Sequence, residues 1–161
     1  MCEYCGCQDL VTIAELTAEH DVLVNLSGQA CRALLAGDLD AAAELTRAMA
    51  TVLAPHTNVE EEALFPAMAA EFSDHVHGLL SEHRLIEGVL GESAQRTPDD
   101  PGWPGRLENA LEVLREHIIK EQDGLFPAAL VALDPAHWDQ VEAVRARVGS
   151  GLPSTVGGGS R

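Results

Sequence analysis

One pattern of potential metal ligands is written twice in this chain. His56-Thr-Asn-Val-Glu60-Glu-Glu-Ala-Leu64-Phe65-Pro66-Ala67 returns as His117-Ile-Ile-Lys-Glu121-Gln-Asp-Gly-Leu125-Phe126-Pro127-Ala128, so each copy reads H-x3-E-x3-L-F-P-A. A Glu-His doublet stands upstream of each copy: Glu19-His20 lies 36 residues before His56, and Glu82-His83 lies 34 before His117. Residues i and i+4 of a helix share one face, one turn apart. His56 and Glu60 therefore point the same way, as do His117 and Glu121. Four imidazoles and two carboxylates converging on one point would make a two-metal site.

The plain alternative for His-x3-Glu is an exposed pair worth about 0.2–0.5 kcal/mol. Seven His and 16 Glu in 161 residues predict fewer than one such pair by chance, and the chain has three: His56/Glu60, His83/Glu87 and His117/Glu121. All three interrupt apolar stripes. A carboxylate buried without a partner costs several kcal/mol, so it pairs or binds a metal. The cations to pair it are scarce: Lys120 is the only lysine, and Arg84 and Arg115 face away from the stripes. On donor softness alone, four imidazoles and two carboxylates suit iron, zinc, copper or nickel. Two bridging carboxylates favour a pair of octahedral ions over one tetrahedral zinc. His75, His77 and His137 fall off the pattern and read as helix-surface residues.

The elements that must position these groups are helices. Ala, Leu, Val and Glu are abundant and aromatics are only 4%, a mix that suits helix better than sheet. Apolar residues at helical spacing predict a first helix from about 17 to 36, ended by Gly37-Asp38. The same periodicity predicts a second from about 40 to 69, with Pro55 kinking it just before the ligands. A third runs from Ser73-Asp74 to about 91. After the turn-rich stretch Asp99-Asp100-Pro101-Gly-Trp103-Pro104-Gly, a fourth runs from about 107 to 133. Asp134-Pro135 opens a short fifth helix to about 148. The expected fold is all-α: an antiparallel up-down four-helix bundle with a short fifth C-terminal helix. The domain reading is a Cys-rich segment over 1–10, the bundle over 11–148, and a Gly/Ser-rich disordered tail over 149–161.

Net charge is -16 and the sequence pI about 4.6, so nucleic acid and anionic membrane are poor partners. No apolar run approaches the 18 or so residues of a spanning helix, and nothing at the start marks export. Cytoplasmic residence is the expectation. Cys2, Cys5 and Cys7 form a C-x2-C-x-C cluster before any helix. They read as exposed thiols, a soft-metal site or a handle for a redox partner. Cys31 lies about 16 Å along the first helix from His20, at 1.5 Å per residue, and reads as a core cysteine.

Ferritin-like di-iron bundles use Glu-x-x-His, which is absent from this chain. The pattern His20 … His56-x3-Glu60 … His83 … His117-x3-Glu121 instead resembles the hemerythrin-like (HHE cation-binding) family over roughly residues 12–133. The resemblance implies a non-haem di-iron centre, two irons per chain with an oxo or hydroxo bridge. Glu60 and Glu121 would bridge both irons, with His20 and His56 on one and His83 and His117 on the other. The oxygen-carrying members have two histidines one turn apart on the third helix, where this chain has Glu87. They also place Asp five residues after the fourth-helix His, where this chain has Glu121 at four. The set is closer to the members that repair iron centres or sense iron. Glu87 stands as a candidate ligand to the iron of His83 and His117, or as a hydrogen-bond acceptor to a ligand histidine. Glu61 is a second, weaker candidate.

Three functions follow as expectations. The first is an enzyme-like centre that reduces peroxide, nitric oxide or dioxygen. The second is a sensor of iron, oxygen or nitric oxide that signals through the Cys segment. The third is a protein that donates iron to damaged clusters.

Overall fold

The computed structural model describes residues 10–153. Among them it contains helices and no strand: α1 (Val11–Leu35), α2 (Leu39–Val59), α3 (Phe65–Gly91), α4 (Trp103–Lys120), α5 (Phe126–Ala132) and α6 (Pro135–Val148). Two five-residue π-helical turns, Glu60–Leu64 and Glu121–Leu125, join α2 to α3 and α4 to α5 without a break. Four long helical segments thus build a helical bundle. α3 contains one non-helical residue, Phe72 (φ -124, ψ 38), where the chain leaves one segment and enters the next at Ser73.

Local chemistry sets these ends. Gly37 takes φ 72, a left-handed turn open to glycine at no steric cost. Asp38 then caps α2 by accepting from the Ala41 amide, and Asp134 caps α6 by accepting from the His137 amide. α1 begins six residues earlier than its periodicity suggested, because Thr12 and Leu16 extend the buried stripe. α4 begins at Trp103 rather than near Leu107. Pro104 sits in its first turn, where a missing N–H costs nothing, and the Trp103 ring is fully buried.

The two π-turns each begin at the glutamate of a repeat copy and end before Phe-Pro. The Phe65 amide donates to the Glu60 carbonyl, and the Phe126 amide to the Glu121 carbonyl. A proline ring clashes with the carbonyl four residues back. Widening the turn by one residue makes room for Pro66 and Pro127 without ending the helix.

The core has two apolar parts. One gathers Leu23, Met49, Leu53, Ile86, Leu90, Trp103, Leu111 and Leu114; the other gathers Leu16, Val59, Leu64, Phe65, Leu79, Leu125, Phe126 and Val141. Every long segment passes from one part to the other, and the predicted ligands lie at the crossing. His20 stands between Leu16 and Leu23, His56 between Leu53 and Val59, His83 between Leu79 and Ile86, His117 between Leu114 and Leu125. A polar layer is held between two dry ones.

The stretch after α6 departs from the expected tail. Residues 149–153 pack on the bundle: Ser150 donates to Glu19, and Leu152 packs on the core. Pro55 leaves the Thr51 carbonyl without its helical partner, and the Gly151 backbone covers that spot so closely that a Cβ would stand 2.2 Å from the oxygen. Residues 154–161 lie outside the described residues, as do Cys2, Cys5 and Cys7.

Candidate metal centre

α1 contributes His20, α2 His56, α3 His83 and α4 His117, while the two π-turns contribute Glu60 and Glu121. All six side chains are at most 2% exposed. Their donor atoms form two groups, each within 4.8 Å: His20, His56, Glu60 and Glu121; and Glu60, His83, His117 and Glu121. Both glutamates belong to both groups. Glu60 Oε1 lies 3.2 Å from His56 Nε2 and its Oε2 3.3 Å from His83 Nε2. Glu121 Oε1 and Oε2 lie 3.0 Å from His117 Nε2 and His20 Nε2. Each carboxylate therefore spans the two groups.

The other ring nitrogens point outward to fixed partners. His56 Nδ1 meets Glu19 at 2.9 Å, His117 Nδ1 meets Glu82 at 2.8 Å, His83 Nδ1 meets Glu61 at 2.8 Å and His20 Nδ1 meets the Gln122 carbonyl oxygen at 3.2 Å. Carboxylate and amide oxygens only accept, so each Nδ1 carries the proton and donates. The neutral ring is left with its lone pair on Nε2, pointing inward. Phe126 stacks on the His20 ring at 5.6 Å and Phe65 on His83 at 5.4 Å.

The duplication extends to these outer contacts. The Glu of each Glu-His doublet holds the histidine of its own repeat copy, Glu19 on His56 and Glu82 on His117. The residue after each bridging glutamate, with the Phe of each copy, holds the doublet histidine of the other half. Glu61 and Phe65 thus hold His83, and Gln122 and Phe126 hold His20.

This inward arrangement fits cations. His20 and His56 bring their Nε2 atoms to 3.1 Å, as do His83 and His117. Two lone pairs at that distance repel unless a positive charge lies between them. The four oxygens of Glu60 and Glu121, though within ion-pair distance of the rings, have no hydrogen-bond partner among the described residues. A buried carboxylate left so costs several kcal/mol. Without a metal the same field holds protons. Burial alone pushes the His56 imidazolium down, but the carboxylates of Glu60, Glu19 and Glu121 outweigh it and push it up to about 10. Burial likewise opposes the His117 imidazolium, and Glu121, Glu60 and Glu82 raise it to about 9. Burial also opposes the Glu60 carboxylate, and His56 and His83 hold it well below the usual range.

The hemerythrin HHE cation-binding domain model matches residues 11–129. The chain belongs to that family. It is a metal-binding hemerythrin-like protein, with His/Glu groups placed to hold metal. Neither a curated protein nor a solved structure matches it significantly.

Glu87 requires a correction. It joins neither group; it accepts from the Thr57 hydroxyl at 2.8 Å, lies 4.0 Å from Arg84 and is 39% exposed. Among the described residues it makes no hydrogen bond to a ligand histidine. Glu61, the weaker candidate, instead holds His83 from outside and is gripped by Arg84. Cys31 is half-buried. It lines a cavity of about 710 Å3 between α1 and α4, which none of the six centre residues lines. His75 and His77 are exposed and His137 half-buried. No helix among the described residues is long and apolar enough to cross a membrane.

The residues that sequence reasoning missed are the outer ones: Glu19, Glu82, Gln122 and Arg145. The Glu-His doublets repeat in the sequence, which was the available signal for Glu19 and Glu82; Gln122 occupies the position that matches Glu61 in the other copy. Arg145 had none. It reaches from α6 to Glu19 with two hydrogen bonds, 2.8 and 2.9 Å.

Proposed function

We propose that the protein holds a non-haem di-iron centre that binds and turns over a small oxidant: peroxide, nitric oxide or dioxygen. The observation that carries the reading is that two four-residue donor groups share Glu60 and Glu121. Four imidazole and carboxylate donors per position suit iron and leave positions for a bridge and a small molecule. The iron pair would supply the electrons that reduce such an oxidant.

The chain's own residues prepare the site. His20, His56, His83 and His117 present neutral Nε2 donors because their outer partners hold the Nδ1 protons. Glu60 and Glu121 fix the spacing of the two positions. The two apolar layers exclude bulk water. Phe65 and Phe126 stack on His83 and His20 and add to the apolar surround of the centre, which suits a small neutral molecule. With two histidines per position and Glu87 turned away, the third helix supplies one histidine where the oxygen carriers supply two, and the open position this leaves supports turnover over reversible carriage.

The four long segments are read as an up-down antiparallel bundle with α6 as a fifth helix. The support is the order in which successive segments traverse the two core parts. Residues 11–148 are read as the domain. The Cys2, Cys5 and Cys7 thiols stand as the contact for a redox partner, on their spacing alone, and thiols of that kind suit the cytoplasm. Protein produced with iron should contain about two irons per chain, absorb as an oxo-bridged ferric pair, and consume peroxide, nitric oxide or dioxygen when reduced. Protein holding a single zinc after growth in iron sinks the reading.

A further inference from the structure

The two donor groups have the same inner residues, yet their surroundings differ in two independent ways. The first is chemical. At the His83/His117 position both outer acceptors are carboxylates, Glu61 and Glu82. At the His20/His56 position one is a carboxylate, Glu19, and the other is the neutral amide of Gln122. The duplicated sequence breaks symmetry here, Glu60-Glu61 against Glu121-Gln122. A carboxylate acceptor draws the Nδ1 proton further than an amide does and leaves more negative charge on Nε2, making it a stronger metal donor.

The second difference is where the countercharges sit. Glu61 and Glu82 are matched by Arg84 and Lys120, 64% and 44% exposed, whose fields water screens. Glu19 is matched by Arg145, whose side chain is 10% exposed, and Glu19 is itself fully buried. Arg145 grips both Glu19 oxygens and Ser150 donates to one of them. Among the described residues, only Glu15, partly exposed, lies by the Arg145 Nε, at 3.2 Å. A buried guanidinium acts through a lower dielectric than an exposed one, so it takes more of the Glu19 charge away from His56. Both differences weaken the same position.

We propose that the two metal positions are inequivalent: the His83/His117 position takes the first ion and holds it more tightly, and the His20/His56 position fills second and empties first. The inference rests on the two-metal reading. An ion at His83/His117 already orders Glu60 and Glu121, so the second position is completed by loading the first.

The test uses the full chain stripped of metal and loaded with Co(II). Crystals prepared with one equivalent and with excess are compared by anomalous scattering at the cobalt edge. Excess Co(II) should fill both positions. A second position that never fills overturns the two-metal reading. With both fillable, one equivalent should place most of the cobalt at His83/His117; equal occupancy, or more at His20/His56, overturns the inequivalence while leaving the two-metal reading intact. Two near-isosteric variants trace the cause. Gln122→Glu should bring the occupancies together, and Glu61→Gln should do so from the other side. An outer-partner change of this kind is worth about 10–100-fold in affinity, well within reach of the measurement. Unchanged preference in both variants overturns the assignment to these outer partners.

Discussion

Glu60 and Glu121 carry a different burden from the histidines, because each serves both donor groups. On the proposed two-metal reading, loss of one histidine should strip one position and loss of one of these glutamates should strip both. Glu60→Ala or Glu121→Ala should therefore lower total metal content toward zero. The loss should exceed the roughly 10–100-fold that removal of an outer hydrogen-bond partner costs, as read by metal analysis after dialysis. Retention of one tightly held ion in either variant would show that the carboxylates are not shared.

Glu87 shows how far spacing alone can be taken at this scale. It sits one turn after His83, as Glu60 follows His56 and Glu121 follows His117. In those two pairs a π-turn begins at the glutamate, whose carboxylate lies in the buried polar layer. After His83 the helix stays regular, and Glu87 meets Thr57 and the surface. Glu87→Ala should leave metal content and visible absorption unchanged and cost at most about 1 kcal/mol in stability, for one partly exposed hydrogen bond. A shifted spectrum would return Glu87 to the centre. The six inner residues were legible because type, spacing and apolar surroundings agreed. The outer partners were not, since Glu61 and Gln122 act on histidines of the other repeat half, and only packing decides which ring they meet.

At the scale of elements, the four main helices were legible from periodicity, whereas the π-turns and the role of α6 were not. The L-F-P of each repeat copy held the π-turn signal, since a widened turn is one way for a helix to continue past a proline. α6 carries little amphipathic pattern, yet it packs Trp138 and Val141 on the core and sends Arg145 to Glu19. Arg145 supplies the charge that lets Glu19 be fully buried, and Glu19 orients His56. Arg145→Ala should destabilise the protein by about 3–5 kcal/mol, the cost of leaving one partner of a buried pair uncompensated. Adding Glu19→Gln should recover a large part of it. Chemical denaturation of the single and double variants is the measurement, and a double variant as unstable as Arg145→Ala would mean that Arg145 acts through packing alone.

For the molecule as a whole, the polar layer between two apolar parts sets a conflict that metal resolves. Metal that binds only the folded chain stabilises it by mass action, about 2.7 kcal/mol per site at a hundred times Kd. The metal-free protein should therefore melt well below the loaded one, and the gap should depend on pH in a definite direction. In the metal-free protein His56 is raised to about 10 and His117 to about 9, against about 6.5 in an unfolded chain. A group raised on folding contributes stability that is fully present below the unfolded value and is lost as pH rises through the folded one. Metal-free stability from these two rings should then decline from about pH 6.5 upward. Metal needs the same nitrogens deprotonated, so its binding releases protons and tightens over the same range. The melting gap between loaded and metal-free protein should thus widen between pH 6 and pH 8.5, and loading at pH 7 should release protons that a pH indicator detects. A gap independent of pH, with no proton release, would mean that the rings are already neutral in the metal-free bundle and that the carboxylates around them do not hold their protons.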